Sequence, residues 1–190
     1  QNEPRMQQRD FGNTGLKVGV LGFGAGQVGA QHLSEDQAGT LLNRAIDRGI
    51  TLVDTARGHG LSEERIGRHL SYRRHDFILS SKGGYGAQGA EDWTPPAIRR
   101  GIEQALTRMR VDWIDIFHLH SCPLETLRRD DLLSALDEAR QALASHQARL
   151  GNMDKSRLDD EEKGILDARR AVMQAAGQLY AARQSAVLGV

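Results

Sequence analysis

Between residues 9 and 120 the chain alternates short apolar strands with amphipathic helices, and that alternation constrains its fold more than any other feature. Phe11, Leu16, Val18 and Val20 flank the turn-forming run Gly12-Asn13-Thr14-Gly15, which predicts a short hairpin followed by a strand. Ser34-Glu35-Asp36-Gln37 reads as a capping box. Ala38, Leu41, Leu42, Ala45 and Ile46 follow at helical spacing, and Gly49 stops the helix. A strand is expected from Thr51 to Thr55, then a helix capped by Ser62 that carries Ile66 and Leu70. Another strand runs from Phe77 to Ser81 and ends at Lys82. Thr94-Pro95 opens a helix with Ile98, Ile102, Ala105, Leu106 and Met109 on its apolar face, and Trp113 to His120 is the fourth strand. Strands separated by helices are parallel, with right-handed crossovers. A complete barrel needs eight such units and about 250 residues. Four are readable here, so the expected fold is α/β: a partial TIM-type (β/α) barrel of about four parallel strands after an amino-terminal hairpin.

The character changes after Pro123. Leu132, Ala139 and His146 lie seven apart, as do Leu136, Leu143 and Leu150, which predicts one long helix stopped at Gly151-Asn152. Leu158, Ile165, Val172, Leu179 and Ala186 then repeat every seven, with Ala168, Ala175 and Ala182 three positions on. Two antiparallel helices packed along that narrow seam, a helical hairpin, are the expected tail. The division implied is a half-barrel over 8–127 and a helical hairpin over 128–190.

Acidic and basic residues balance at 25 each, which argues against nucleic acid or an anionic membrane as partner. Cys122 is the single cysteine, so no internal disulfide forms and a reducing compartment is expected. No apolar run reaches membrane-span length, and Gln1 to Asp10 lacks the apolar core of a secretory signal. The expectation is a cytoplasmic protein. Parallel edges left open at the first and fourth strands would be sticky, so self-association through them, or through the tail, is also expected.

Asp54, His59, Lys82 and His120 fall at or just past the carboxyl ends of successive strands. Side chains from different strands converge there, at one mouth of a barrel. Taken singly, each has a plainer alternative: an ordinary βα loop for Asp54 to Gly67, a solvated strand end for Lys82, and a hydrogen-bonded core residue for a strand histidine such as His118 or His120. A lysine facing an aspartate across a barrel mouth differs, because the carboxylate holds the ammonium charged and in place.

In combination these stretches resemble the aldo-keto reductase family. The resemblance is carried by FGNTGLKVGVLGFG (Phe11 to Gly24), DTARGHGLSE (Asp54 to Glu63), the strand ending in Lys82, and VDWIDIFHLHSCP (Val111 to Pro123). It runs from about residue 8 to about residue 142. It implies a barrel, NADPH as cofactor, and reduction of a small aldehyde or ketone to an alcohol. Carried over by position, Asp54 pairs with Lys82, Lys82 lowers the pKa of the general acid, and His120 orients the carbonyl. Gly24, Ala25 and Asp54 line the cofactor mouth. His59 stands where the family's catalytic tyrosine is expected. An imidazolium, which ordinarily titrates near about 6.5, can protonate an alkoxide but is shorter than a phenol. The resemblance therefore implies weakened or lost activity. The family's segments that grip the carboxamide and the adenosine phosphate are not recognisable after residue 142, which implies weak NADPH binding.

Other readings stay open. Gly24-Ala25-Gly26-Gln27-Val28-Gly29 matches the dinucleotide fingerprint, but the next helix starts at Ser34 rather than within the glycines. His118, His120 and Cys122 alternate on one strand face, a metal-ligand spacing that suits a barrel-type hydrolase with Asp54 or His59 completing the set. A non-catalytic scaffold acting through its helical hairpin, and a truncated relative without evolved activity, complete the alternatives.

Overall fold

The computed structural model describes residues 6–152. Gln8–Asp10 (β1) and Lys17–Gly19 (β2) form the expected antiparallel hairpin. Phe23–Gly24 (β3), Leu52–Asp54 (β4), Ile78–Gly83 (β5) and Ile116–Leu119 (β6) form a parallel sheet in that order. The crossovers contain the helices Glu35–Asp47 (α1), Ser62–His69 (α2) and Pro95–Met109 (α3). Leu124–Leu127 (α4) and Asp130–Asn152 (α5) follow the last strand. Among the described residues β3 and β6 are the sheet edges, as the order of four units requires.

Alternation along the strands sorts the chemistry. Val53 and Leu79 point to the helices and are fully buried with Leu42, Ile66, Leu70 and Met109. Their neighbours Asp54, Ser80 and Lys82 lie together on the other face, towards the carboxyl ends of the strands. Both predicted starts hold at α1 and α3. Ser34 Oγ accepts from the Gln37 amide and Gln37 Oε1 accepts from the Ser34 amide. Thr94 caps α3, with Pro95 at its first position.

Three expectations shift. Ser62 does not cap α2; Leu61 stands there, and Ser62 is the first helical residue. The Ser62 hydroxyl is buried instead, in a bond that the strands need more. The fourth strand starts at Ile116 rather than Trp113, because Arg74 claims the preceding segment. Its guanidinium donates to the Trp113 carbonyl and the Asp115 carboxylate and lies 4.4 Å over the Trp113 ring. The Asp115 carboxylate then accepts from the Leu79 amide, 2.7 Å away, so the pair stitches β5 to the entry of β6. Third, the apolar row assigned to a tail hairpin is used by the half-barrel. Leu132 and Ala135 of α5 are buried against Ile98 and Ile102 of α3, with Leu136, Ala139 and Leu143 continuing the contact. The first compact unit accordingly runs to Ala144, beyond the expected boundary at 127. The second hairpin helix, with its heptad from Leu158 to Ala186, lies outside the described residues.

The irregular link between β3 and α1 is held by one side chain. Arg65, 3% exposed, donates to the carbonyls of Val28, Ala30 and Leu33 and to Glu35 Oε1. This satisfies carbonyls that no helix or strand would. The bond from Arg65, aided by Arg68 and His69, holds the Glu35 carboxyl down at about 2 against an ordinary 4.5. A depressed carboxyl stabilises the fold above its unfolded pKa, and that contribution fades as pH falls through the folded value. Glu35→Gln should lower the urea midpoint at pH above 4.5, and its gap from the parent should close as pH falls towards 2. A gap constant with pH would show that Glu35 contributes nothing through its charge.

Candidate active site

The register places Gly24 beside Asp54 and Asp54 beside Ser80, while Lys82 pairs with His118. Lys82 Nζ donates to Asp54 Oδ2 at 2.6 Å and to the Thr55 carbonyl at 2.8 Å. Ser80 Oγ donates to Asp54 Oδ1 at 2.7 Å, so both carboxylate oxygens are engaged. An ammonium has three N–H donors, and two are fixed by the strand ends. The third is left for whatever occupies the mouth.

The two imidazoles come from the loops that follow. His120 lies just past β6, its amide donating to the Gly83 carbonyl. Its ring meets His59 edge-on, centroids 5.7 Å apart. Burial, and then the Lys82 ammonium and His59, push the His120 imidazole below its ordinary range, with Asp54 pulling the other way. His120 is therefore neutral at neutral pH and can act as a hydrogen-bonding group rather than a cation. His59 Nδ1 is buried without a hydrogen-bond partner. Leaving such an atom unpaired is costly, and it is shut in beside the turn after β3: a Cβ at Gly26 would lie 3.6 Å from it.

Polar ties behind the sheet hold this loop. Thr55 Oγ1 and Ser62 Oγ are 2.7 Å apart, and Ser62 donates on to the Ala25 carbonyl at 2.8 Å. The Leu61 amide donates to the Gly29 carbonyl. Glu63, 1% exposed, accepts from Ser81 Oγ through one oxygen and from Arg108 Nε through the other. A buried carboxylate satisfied on both oxygens binds β5, α2 and α3 together.

The structure brings together Asp54, Lys82, His59 and His120, as the strand-end rule requires. It separates the two glycine-loop candidates. Gly24 is exposed, with nothing within 4 Å of where a Cβ would lie. Ala25 is fully buried and its carbonyl is taken by Ser62, so it offers no surface to a cofactor. The segment Ala25–Gly29 is a 3₁₀ turn and α1 starts only at Glu35, so the dinucleotide fingerprint lacks its helix. The metal reading is also corrected. Among the described residues no three His, Cys, Asp or Glu side chains gather as ligands. His118 is exposed, while Cys122, beyond the strand, donates to the Pro123 carbonyl and packs on the α3–α5 cluster.

Sequence reasoning missed two participants. Ser80 sits two residues before Lys82 on the same face, which alternation alone could have shown. Tyr85 lies past the end of β5, and its hydroxyl is 3.1 Å from His120 Nδ1. The strand-end rule that selected Lys82 applies to it equally, but the glycine pair before it hid how the chain turns back.

The arrangement is thus a parallel β/α half-barrel with an Asp–Lys pair and two imidazoles at the carboxyl ends of its strands. Comparison with known proteins agrees. The model of the aldo/keto reductase family matches residues 20–144. L-galactose dehydrogenase of Arabidopsis thaliana is 34% identical over 146 residues, which are 73% of this chain and 45% of the relative. D-threo-aldose 1-dehydrogenase of a Pseudomonas species is 33% identical over 162 residues, 70% of this chain and 48% of the relative. Among solved structures, the holo form of an aldo-keto reductase from Bacillus halodurans superposes with a TM-score of 0.64 at 31% identity, covering 73% of this chain and 48% of that one. The chain belongs to the aldo-keto reductase family of oxidoreductases, and it spans about half the length of the curated relatives it matches.

The close approach at Gly29 generates a test of how the His59 loop is held. A Cβ at position 29 would lie 1.6 Å from the His59 carbonyl oxygen, whereas one at Gly24 meets nothing. Gly29→Ala should destabilise the fold by about 1–3 kcal/mol through overpacking. Gly24→Ala should stay within about 0.5 kcal/mol. Equal chemical-denaturation midpoints for the two variants would contradict this packing.

Proposed function

We propose that this half-barrel carries the reacting end of an NADPH-dependent oxidoreductase that interconverts a small aldehyde or ketone and its alcohol, with activity weakened by His59. The observation that carries the reading is the Lys82 ammonium held 2.6 Å from Asp54 on the mouth that His120 and His59 share. The residues present fit the nicotinamide end of the cofactor. Gly24 leaves open space at the end of β3, next to Asp54 in the register. What such a cofactor supplies when bound is a hydride. Gly24 and Asp54 would hold its reacting end, while the grip on its adenosine phosphate belongs to the half of the family's barrel not matched here. NADPH binding by this chain is accordingly weak.

The chain's own residues handle the oxygen and the proton. His120, neutral, hydrogen-bonds the substrate oxygen and orients it. Lys82, held in place by Asp54, puts positive potential where negative charge develops on that oxygen. His59, in protonated form, delivers the proton to the alkoxide, and in the reverse direction takes it from the alcohol. An imidazole reaches less far than a phenol, which is the physical reason for slow turnover. Two of the relatives are named as dehydrogenases of sugars, L-galactose and D-threo-aldoses, which supports a small polyhydroxylated carbonyl as substrate.

Steady-state NADPH oxidation with a small aldehyde tests this on the full chain. Slow turnover is expected, falling by about 10²-fold or more in Lys82→Met. His59→Tyr should raise it. Because His120 must stay neutral and its pKa is depressed, the acid-side loss of rate should set in only below about 6.5. An unchanged rate in folded, cofactor-binding His59→Tyr would contradict the role of His59. Lack of both turnover and saturable NADPH binding would contradict the reading as a whole.

A further inference from the structure

Tyr85 is a phenol at the mouth that no part of the reaction above uses. Its hydroxyl lies 3.1 Å from His120 Nδ1, and the two rings sit 5.4 Å apart at 30°. Trp93 backs the Tyr85 ring at 5.7 Å. Trp93 is itself tied down: its amide donates to the Gly84 carbonyl at 2.6 Å, and its carbonyl accepts from Arg129. It holds a left-handed backbone, with φ of 59°, which a bulky residue adopts only when its surroundings enforce it. A Cβ at Gly58 would lie 3.3 Å from the Tyr85 hydroxyl and 3.5 Å from His120 Cε1, so the Asp54–His59 loop passes closely over the pair. Three separate segments thus converge on one phenol–imidazole hydrogen bond.

A neutral imidazole has one N–H donor and one bare acceptor nitrogen, and the partner of one nitrogen decides which is which. The basic imidazole nitrogen is a far better acceptor than a phenolic oxygen, so the Tyr85 O–H donates to Nδ1. That leaves the proton on Nε2, for which the described residues provide no hydrogen-bond partner. With the opposite tautomer, Nε2 would present a lone pair to a carbonyl oxygen and repel it.

We propose that Tyr85 is a positioning residue that locks His120 in the Nε2–H tautomer, so that this histidine presents a donor to the substrate oxygen. The proposal rests on the reading that His120 meets that oxygen. Burial, Lys82 and His59 keep the ring neutral, the state in which the tautomer matters, while Asp54 opposes them.

Nitrogen-15 NMR of the imidazoles in the full chain tests it without cofactor or turnover. In the parent protein, His120 should show a bare, hydrogen-bonded Nδ1 and a protonated Nε2. Tyr85→Phe keeps the ring but removes the donor. A donor to Nδ1 stabilises the neutral form, so its loss should raise the His120 pKa by about one pH unit, the equivalent of one neutral hydrogen bond. It should also mix the two tautomers. Looser packing would also raise the pKa by relieving burial, so the specific readout is the hydrogen-bonded, bare Nδ1 signal of the parent protein and its loss in Tyr85→Phe. A protonated Nδ1 in the parent protein overturns the proposal, and so does a His120 pKa that falls or stays put in Tyr85→Phe. Should the variant fail to fold, the parent tautomer alone decides. Carbonyl reduction with a protonated Nδ1 would sink this inference and leave the function standing. The Nε2–H tautomer in a chain that binds no NADPH and reduces no carbonyl would sink the functional reading instead.

Discussion

The ion pair between Asp54 and Lys82 is the contact on which the site depends. A lysine on a long flexible stem points in one direction only when something holds its head group. Asp54 holds it at 2.6 Å, and Ser80 steadies the carboxylate from the other side. Because the partners end adjacent parallel strands in fixed register, the pair is placed by the sheet and not by flexible loops. Everything else at the mouth is arranged around it. His120 and His59 face one another above it, and the field of the ammonium helps to keep His120 neutral.

What holds that arrangement is a set of buried polar ties on the helix side of the sheet. Thr55, Ser62 and the Ala25 carbonyl join β4, α2 and the turn after β3. Ser81, Glu63 and Arg108 join β5, α2 and α3. Arg65 fixes the loop leading into α1. Such networks add little net stability over an apolar core, but removing one partner leaves the other buried and unpaired, at about 1–3 kcal/mol for a neutral hydrogen bond and about 3–5 kcal/mol for a buried ion pair. They serve to make one loop geometry far better than its neighbours.

Much of this was legible in the residues. The capping box at Ser34 and Gln37, the Thr94-Pro95 start and the strand-end positions of Asp54, Lys82 and His120 each follow from local rules that the tertiary structure does not override. The departures share a cause. Ser62 left its expected cap because its buried hydroxyl bridges Thr55 and the Ala25 carbonyl, satisfying two groups where a cap would satisfy one. The fourth strand shortened because Arg74 captured Trp113 and Asp115. Tyr85 escaped notice because its approach to His120 is set by a turn through Gly84, a long-range consequence that no window of sequence contains. As far as Leu143 the apolar positions of α5 form a covered face, but periodicity says only that a face is covered, and it is α3 that covers it.

The family relationship and the geometry meet at the same residues: the matched span, 20–144, contains Asp54, His59, Lys82 and His120. The central claim is that Asp54 acts by holding Lys82, so the two should function as one unit. A double-mutant cycle on NADPH-dependent carbonyl turnover tests it most directly, comparing Asp54→Asn, Lys82→Met and the pair with the parent chain. Each single change should cost about as much as both together. Independent losses that simply multiply in the double variant would contradict the account.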